Sequence, residues 1–339
     1  MANEFELVEA LQPIRGMALA TSINHFYTKG IYDELVETKE EYNIDNLAAK
    51  LNHEAFRLEG LLKFLRNEGF VNLDNNKVKV TDKAVQWSQY RAWYEMMVGG
   101  YAQTFMEMGD ALEKGSAPAS RNASWVGIGS CGISMYDSIP IVKKLLAELP
   151  EPPKTVVDLG CGSGVYLTEI CKWYEQTTAI GIEPDEGGCI AAKKHVAEQN
   201  LTDRIQVAQA DAITYIQGME QAPDMLLLCF VIHEVLGQSG EQAVIDMINA
   251  AMTGDKEQRL MIIDIDYLID DKKVMAHSLS TAYYNSYFLL HPFTSQQLEK
   301  QAYWDELFGK CGLEIEHKMY TDPAIDSTDI CMGWMLKKK

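Results

Sequence analysis

The sequence of 339 residues lacks several features that would place it in a specialised class of protein. Its seven cysteines are odd in number and contain no C-x-x-C pair, which argues against a disulfide framework and against the usual structural zinc sites. No stretch reaches the roughly 18 apolar residues of a membrane-spanning helix. The acidic first segment has no signal-like apolar run. These absences predict a reduced, cytoplasmic protein.

Basic residues are also scarce. The chain has 30 Lys and Arg against 49 Asp and Glu, which gives a net charge of −19. Because Lys and Arg make most contacts to phosphate, this balance argues against nucleic acid or an anionic membrane as a partner. The remaining composition, 47% hydrophobic and 23% charged, is ordinary for a globular protein with a core. A small-molecule substrate is therefore favoured.

The chain divides near a proline-rich joint at residues 145–155. Helical patterns dominate before this joint, and strands alternate with helices after it. We predict a winged-helix-like dimerisation domain over residues 1–100, a helical connector and pocket loop over 101–150, and an α/β domain over 151–339.

The first domain begins with a long amphipathic pattern over residues 5–26. Two short helices at 44–51 and 54–67 and a hairpin around Asp74-Asn75-Asn76 then form the pattern of a winged helix. Such units often bind DNA, but residues 1–100 carry 11 basic against 15 acidic side chains. The helices are also more apolar than a monomer surface should be, so we expect a homodimer.

The stretch 116–140 is rich in glycine and serine yet carries bulky apolar side chains such as Trp125, Ile133 and Tyr136. A loop of about 25 residues is unusual in a compact domain unless it serves a site. We therefore expect a loop that forms a wall or lid of the acceptor pocket.

The last domain shows five strand patterns, each close to a helical one. The strands are expected at 155–160, 177–183, 204–211, 224–233 and 259–267, and three of the helices at 165–174, 185–199 and 241–252. Such alternation predicts a doubly wound, mostly parallel sheet. Ligands of these sheets bind where the strands end.

The most informative motif, Asp158-Leu-Gly-Cys-Gly-Ser-Gly164, follows the first of these strands. It lacks the third glycine of a dinucleotide fingerprint, since residue 165 is Val and residue 167 is Leu. The spacing D-L-G-x-G-x-G resembles the first motif of class I methyltransferases that use S-adenosyl-L-methionine (SAM). The resemblance implies a Rossmann-like methyltransferase domain. It also implies that Asp158 organises the loop near the amino-acid end of SAM, and that Gly160, Gly162 and Gly164 pass beside its methionyl part.

Two further acids stand at the ends of the next strands. Glu183 closes the second strand, where a carboxylate can accept both ribose hydroxyls, and Asp211 closes the third, by resemblance near the adenine amino group. Asp158, Glu183 and Asp211 thus each stand at the end of one of three successive strands, which supports a single SAM site.

Histidines mark the expected acceptor site. His233 and Glu234 lie at the mouth of the fourth strand, and His291 lies in LLHPFTS, before a Thr294 or Ser295 expected to cap the next helix. His277 is a weaker ligand candidate on a predicted helix at 272–290. Histidine serves as a general base and as a common metal ligand.

The whole chain resembles the SAM-dependent C-methyltransferases of 2-oxo acids, and within them the branch that acts on 2-ketoarginine. The resemblance rests on A-L-Q-P-I-R-G (10–16), G-I-G-S-C-G-I-S-M-Y-D-S-I-P (127–140), V-I-H-E-V (231–235) and L-H-P-F (290–293). It implies methylation at C3, best on 5-guanidino-2-oxopentanoate, through an enolate stabilised by a mononuclear zinc or iron ion.

The same resemblance assigns roles to particular residues. His233 and His291 would hold the metal, and Glu234 would be a ligand, a base or the partner of Arg121. Arg121 would grip the substrate carboxylate. A guanidinium would need an acidic or aromatic wall, for which the candidates are Asp137, Asp266, Tyr283, Tyr284 and Tyr287.

Other functions stay open at this point. Small-molecule O-methyltransferases share the two-domain pattern, but their catalytic histidine is expected where this chain has GQSGEQ. A C-methyltransferase of phenylpyruvate or branched-chain 2-oxo acids would use the same residues with an apolar wall. A third alternative is a non-enzymatic regulator that keeps the fold only to sense a ligand. The predicted winged helix is the one feature that supports it.

Overall fold

The computed structural model describes residues 3–38 and 41–339. The chain forms two compact units, one extending to Ala102 and one from Gln103 to Lys339. Within the described ranges, no helix has the length and apolar character that a bilayer span requires.

The first unit consists of helices and a small antiparallel sheet. Its elements are α1 (Glu4–Thr28), α2 (Ile31–Thr38), β1 (Tyr42–Asn43), α3 (Ile44–Lys50), α4 (Ala55–Asn67), β2 (Val71–Asp74), β3 (Lys77–Val80), α5 (Asp82–Ser88), α6 (Arg91–Tyr94) and a π-helical turn, Glu95–Gly100. Asn75 and Asn76 both have positive φ, as a tight hairpin turn requires. The predicted long helix, helix pair and hairpin are all present.

The second unit is built on a seven-stranded sheet. Its strands are β4 (Thr155–Leu159), β5 (Thr178–Glu183), β6 (Ile205–Gln209), β7 (Met225–Cys229), β8 (Arg259–Ile265), β9 (Leu313–Tyr320) and β10 (Cys331–Lys338). The spatial order is β6-β5-β4-β7-β8-β10-β9. The first five strands are parallel, and β10 runs antiparallel to both β8 and β9. The doubly wound α/β class is confirmed; the last two strands had not been predicted.

The remaining helices precede, connect or follow these strands in the chain. They are α7 (Ala102–Ala111), α8 (Ala123–Ser134), α9 (Ser138–Ala147), α10 (Val165–Trp173), α11 (Glu186–Glu198), α12 (Ala212–Gln217), α13 (Ile232–Ala251), α14 (Lys272–Met275), α15 (Asn285–Leu290) and α16 (Gln301–Lys310). A π-helical turn (Ser280–Tyr284) precedes α15, and a short 3₁₀ helix (His291–Phe293) follows it. After β6 the chain crosses back to β7 on the other side of β4, so the strand order reverses between β4 and β7, the kind of switch point that leaves a ligand crevice.

The expectation that residues 116–140 form a loop is wrong, because most of this stretch is helical. The Asn122 side chain accepts a hydrogen bond from the Trp125 amide and thereby caps α8. The small residues of α8 permit close packing: a Cβ added at Gly162 would lie 3.4 Å from the sulfur of Cys131. The composition that suggested a loop thus serves a tight contact with the glycine turn.

Two boundaries near the acceptor residues also differ from prediction. The fourth strand ends at Cys229 rather than at residue 233, so His233 lies in the first turn of α13. Phe230 makes the turn between them with φ of 58°, a left-handed conformation that bulky residues rarely adopt. Thr294 and Ser295 do not begin a helix, because α16 starts at Gln301.

Candidate active site

The glycine turn between β4 and α10 is held by backbone hydrogen bonds and by close packing. The amides of Gly160 and Cys161 both donate to the Ile182 carbonyl, at 2.8 and 3.0 Å. Gly160 has φ of 89°, and a Cβ there would lie 2.8 Å from Cγ2 of Val231. A side chain at this position would be strained and would clash, so the motif requires glycine for a physical reason.

Asp158, the first residue of the motif, is completely buried, and neither oxygen of its carboxyl group has a hydrogen-bond partner in the described part of the chain. Burial, together with the charge of Glu183, raises the pKa of Asp158 to about 8. A buried carboxyl group without donors is costly unless a ligand supplies them. The cationic amino-acid end of SAM, which the motif predicts here, would do so.

Glu183 is tied directly to the glycine turn. Its carboxylate accepts the Gly162 amide at 2.9 Å and the Asp185 amide at 2.9 Å. Burial raises the pKa of Glu183, although both hydrogen bonds oppose this. Asp211 is different: it is exposed, and it caps α12 by accepting the amide and hydroxyl of Thr214. The cap explains Asp211 structurally, and its contact with adenine stays a prediction.

On the acceptor side, His233 forms a buried pair with Asp264, a residue that sequence reasoning had missed. Nδ1 of His233 lies 2.9 and 3.1 Å from the two carboxylate oxygens, and the two residues are 2% and 0% exposed. Burial lowers the pKa of His233, but the Asp264 carboxylate outweighs burial and raises it. The available signal was an acid in the otherwise apolar fifth strand, MIIDI.

His291 lies beside His233, with 5.6 Å between the ring centroids. Its Nδ1 donates to the Tyr287 carbonyl at 2.8 Å, while its buried Nε2 has no partner within the described ranges. Burial, reinforced by the charge of His233, lowers the pKa of His291 to about 3. The imidazole is therefore neutral at physiological pH, and its Nε2 lone pair is available to a ligand.

Arg121 and Glu234 form a two-pronged ion pair in the same region. The guanidinium donates to the two carboxylate oxygens at 3.0 and 2.8 Å. The Gln296 amide donates to Glu234 at 3.0 Å and lies 3.5 Å from Nε2 of His233, which joins this pair to the histidines. Burial would raise the pKa of Glu234, but its bonds to Arg121 prevail and lower it.

The weaker candidates lie apart from this group. His277 contacts the Ser327 hydroxyl at 3.2 Å, and Asp266 accepts the Gln301 amide at the start of α16. Across residues 3–38 and 41–339, no group of three or more His, Cys, Asp and Glu side chains is arranged to hold a metal ion. A metal ion at His233 and His291 would therefore need further ligands other than His, Cys, Asp and Glu side chains of the described residues.

The fold and the glycine turn define a class I SAM-dependent methyltransferase. The methyltransferase domain family matches residues 156–253. Mitomycin 7-O-methyltransferase has the same fold, with a TM-score of 0.70, 15% identity and 98% of each chain covered. An O-methyltransferase family protein from Burkholderia thailandensis gives a TM-score of 0.67 at 15% identity, over 100% of this chain and 99% of its own.

Sequence comparison narrows this class. The chain is 37% identical to the 2-ketoarginine methyltransferase of Streptomyces arginensis over 99% of its length and 97% of that protein, and it belongs to that family. It is 25% identical to the indolepyruvate C-methyltransferase of Streptomyces griseus over 61% of each chain.

The buried Asp158 predicts opposite effects on stability and on ligand binding. Its folded pKa of about 8 lies above the unfolded value of 3.8, so its contribution to stability is present at low pH and is lost as pH rises through 8. We expect Asp158→Asn to raise the melting temperature of the ligand-free protein at pH 8, by about 2–4 °C for each kcal/mol relieved. The same change should weaken SAM binding.

Thermal unfolding at pH 5 and 8 and calorimetry with SAM measure the two effects. Asp203→Asn, at an exposed aspartate, is the matched control. A variant that loses stability at pH 8 and binds SAM normally would contradict this account of Asp158.

Proposed function

We propose that this enzyme transfers the methyl group of SAM to C3 of a 2-oxo acid, with 5-guanidino-2-oxopentanoate as the best candidate. The observation that carries the proposal is the pair of buried imidazoles, His233 and His291, joined to the Arg121–Glu234 ion pair through Gln296. The family relative that acts on 2-ketoarginine and the relative that acts on indolepyruvate support the same acceptor chemistry.

The two histidines fit a metal ion in their donor chemistry. Metal-binding histidines usually donate their second ring nitrogen to a carboxylate or a carbonyl. Nδ1 of His233 bonds to Asp264 and Nδ1 of His291 bonds to the Tyr287 carbonyl. Nε2 of His291 is left for a ligand, and Nε2 of His233 would exchange its 3.5 Å contact with the Gln296 amide for one. His233 and His291 would hold zinc or iron, both of which suit imidazole, and the ion would supply Lewis-acid stabilisation of an enolate.

The other residues would bind the acceptor and move its proton. In our proposal Arg121 turns from Glu234 to the acceptor carboxylate, for which its planar guanidinium is equally suited. Glu234, released from the ion pair, then takes the proton from C3. The electron pair of that C–H bond passes through the enolate into the new C–C bond, while the bond between the methyl group and the SAM sulfur breaks. Positioning contributes most, because a sulfonium is already a good leaving group.

The direct test is product analysis with a panel of acceptors. We expect a product heavier by one CH₂ from SAM and a 2-oxo acid, with the methyl group on C3 by NMR and loss of turnover after treatment with a chelator. The panel contains 5-guanidino-2-oxopentanoate, phenylpyruvate, a branched-chain 2-oxo acid and a catechol. If only the catechol is methylated, the enzyme is an O-methyltransferase and the proposal is wrong. If activity is unchanged by the chelator, the reaction does not require a metal ion.

Asp264 is a positioning residue in this scheme, since it contacts His233 and not the acceptor. We expect Asp264→Asn to lower kcat/KM by about 10- to 100-fold, the usual effect of removing a partner of a functional histidine. The acidic limb of the pH profile should shift to lower pH, because the carboxylate that raises the pKa of His233 is gone. Asp270→Asn, at an exposed aspartate, is the matched control. A uniform loss with an unshifted profile would indicate a structural role.

We also propose that the enzyme is a homodimer formed through α1. The first half of this helix exposes large apolar side chains, including Phe5 at 71%, Ile14 at 65% and Met17 at 63%. Such a surface is unfavourable in water unless another chain covers it. We expect sedimentation to give twice the chain mass, and Phe5→Glu combined with Ile14→Glu to give a monomer. A wild-type monomer at micromolar concentration would refute the proposal.

A further inference from the structure

Two carboxyl groups, the half-buried Asp137 and the buried Asp326, take no part in the scheme above. Asp326 is 4% exposed, and it accepts hydrogen bonds from the Tyr284 hydroxyl at 2.5 Å and from the amide and hydroxyl of Thr328 at 2.9 and 2.6 Å. Asp137 accepts the amide and hydroxyl of Ser138 at 2.5 and 2.8 Å. Burial, with the nearby charge of Asp326 contributing, raises the pKa of Asp137 to about 7.

Neither carboxyl group is neutralised by the chain itself. None of the ion pairs formed by residues 3–38 and 41–339 involves Asp137 or Asp326. For Asp137 this is unfavourable, because burial and the nearby Asp326 carboxylate disfavour its charged form. A cationic ligand would remove that cost.

A row of rings connects these carboxyl groups to the histidine pair. The ring centroids are 4.4 Å apart for His291 and Tyr287, 5.6 Å for Tyr287 and Tyr283, and 4.9 Å for Tyr283 and Tyr284. Tyr284 ends the row at Asp326. We call these four residues (Tyr283, Tyr284, Tyr287 and His291) the aromatic row. At one end, Nε2 of the buried His291 has no partner in the described chain.

A second buried polar group without a partner lies on the same helical segment. Ser280 is completely buried, one turn before Tyr284 and on the same side of the helix, and its hydroxyl has no hydrogen-bond partner in the described chain. Buried hydroxyls are normally satisfied. Two buried orphan atoms, on Ser280 and His291, therefore flank the stretch of helix that carries the tyrosines.

The dimensions suit a chain with an anionic head and a cationic end. Tyr284 and His291 are seven residues apart on one continuous helical segment, or about 10 Å along its axis. Five bonds join the keto carbon of 5-guanidino-2-oxopentanoate to its guanidinium carbon, about 6 Å when extended. With contacts of about 3 Å at each end, the acceptor spans about 12 Å, a length similar to this axial rise.

We infer that Asp137 and Asp326 form the subsite for the terminal guanidinium of the acceptor, with the aromatic row as its wall. This inference rests on the proposed function. The planar guanidinium has five donors, which can bridge two carboxylates, and its face can stack on a tyrosine ring. Tyr284 is a positioning residue, because its hydroxyl holds Asp326.

The test compares two acceptors of nearly equal shape and different charge. Binding of 5-guanidino-2-oxopentanoate and of its neutral ureido analogue to the enzyme loaded with S-adenosylhomocysteine is measured by calorimetry. We expect the wild type to bind the guanidino acid about 100-fold more tightly, as a charge-assisted, two-pronged contact implies. Asp137→Asn and Asp326→Asn should remove most of that difference and leave the affinity for the ureido acid within about twofold.

Controls separate this effect from damage to the fold. Asp203→Asn should keep the wild-type preference, and affinity for S-adenosylhomocysteine reports the integrity of each variant. Tyr284→Phe keeps the ring and provides a milder change if an aspartate variant does not fold; it should lower the preference about tenfold, the usual scale for a hydrogen bond to a charged group.

Every outcome decides the inference. Equal binding of the two acids to the wild type overturns it, as does an equal loss of both acids in the variants. Mass spectrometry of the wild type with the same acids tests the proposed function separately. If both acids are methylated but bind equally well, the proposed function stands and the guanidinium subsite is refuted. If the guanidino acid binds more tightly but neither acid is methylated, the guanidinium subsite stands and the proposed function is refuted.

Discussion

The arrangement of the candidate acceptor site depends on one buried hydrogen bond, between Asp264 near the end of β8 and His233 in the first turn of α13. Neither partner is exposed to competing water, so the bond fixes the imidazole orientation more firmly than a surface contact would. Because Glu234 is the next residue of the helix, the same bond also fixes where the Arg121–Glu234 pair lies. The parallel packing of β7 and β8 brings the two partners together although they are 31 residues apart.

A second feature of the second unit is a set of carboxyl groups that lie partly or fully out of water. Burial raises the pKa of Asp158 to about 8 and that of Asp137 to about 7, whereas the buried Asp326 accepts hydrogen bonds from Tyr284 and Thr328. In the proposed reaction both ligands carry a cation, the ammonium of SAM and the guanidinium of the acceptor. If SAM and the acceptor bind as proposed, each cation would relieve the cost of a carboxyl group held out of water and would stabilise the folded enzyme as it binds. The proposed preference for a cationic over a neutral acceptor has this physical basis.

The local patterns of the sequence were sufficient for the fold class and for the SAM loop. Alternating buried strands and helices predicted the doubly wound sheet, and the D-L-G-x-G-x-G spacing located the turn that the structure holds between β4 and α10. Prediction was wrong at residues 116–140, where glycine and serine indicated a loop. Composition describes what a segment prefers when isolated, whereas α8 takes part in a tertiary contact, between Cys131 and Gly162 of the glycine turn, that composition does not reveal.

For the site itself, the sequence alone determined the candidates for chemistry: Asp158, Glu183, Arg121, His233, Glu234 and His291. These follow from motif spacing and from polar groups at strand ends, which are local properties. Only the tertiary structure decided their partners. In the folded chain, His233 bonds to Asp264, His291 bonds to the Tyr287 carbonyl, and Arg121 pairs with Glu234. Asp326 lies at the end of the aromatic row. Such pairings join residues that are far apart in the chain, and they are set by how the elements pack, which no local pattern encodes.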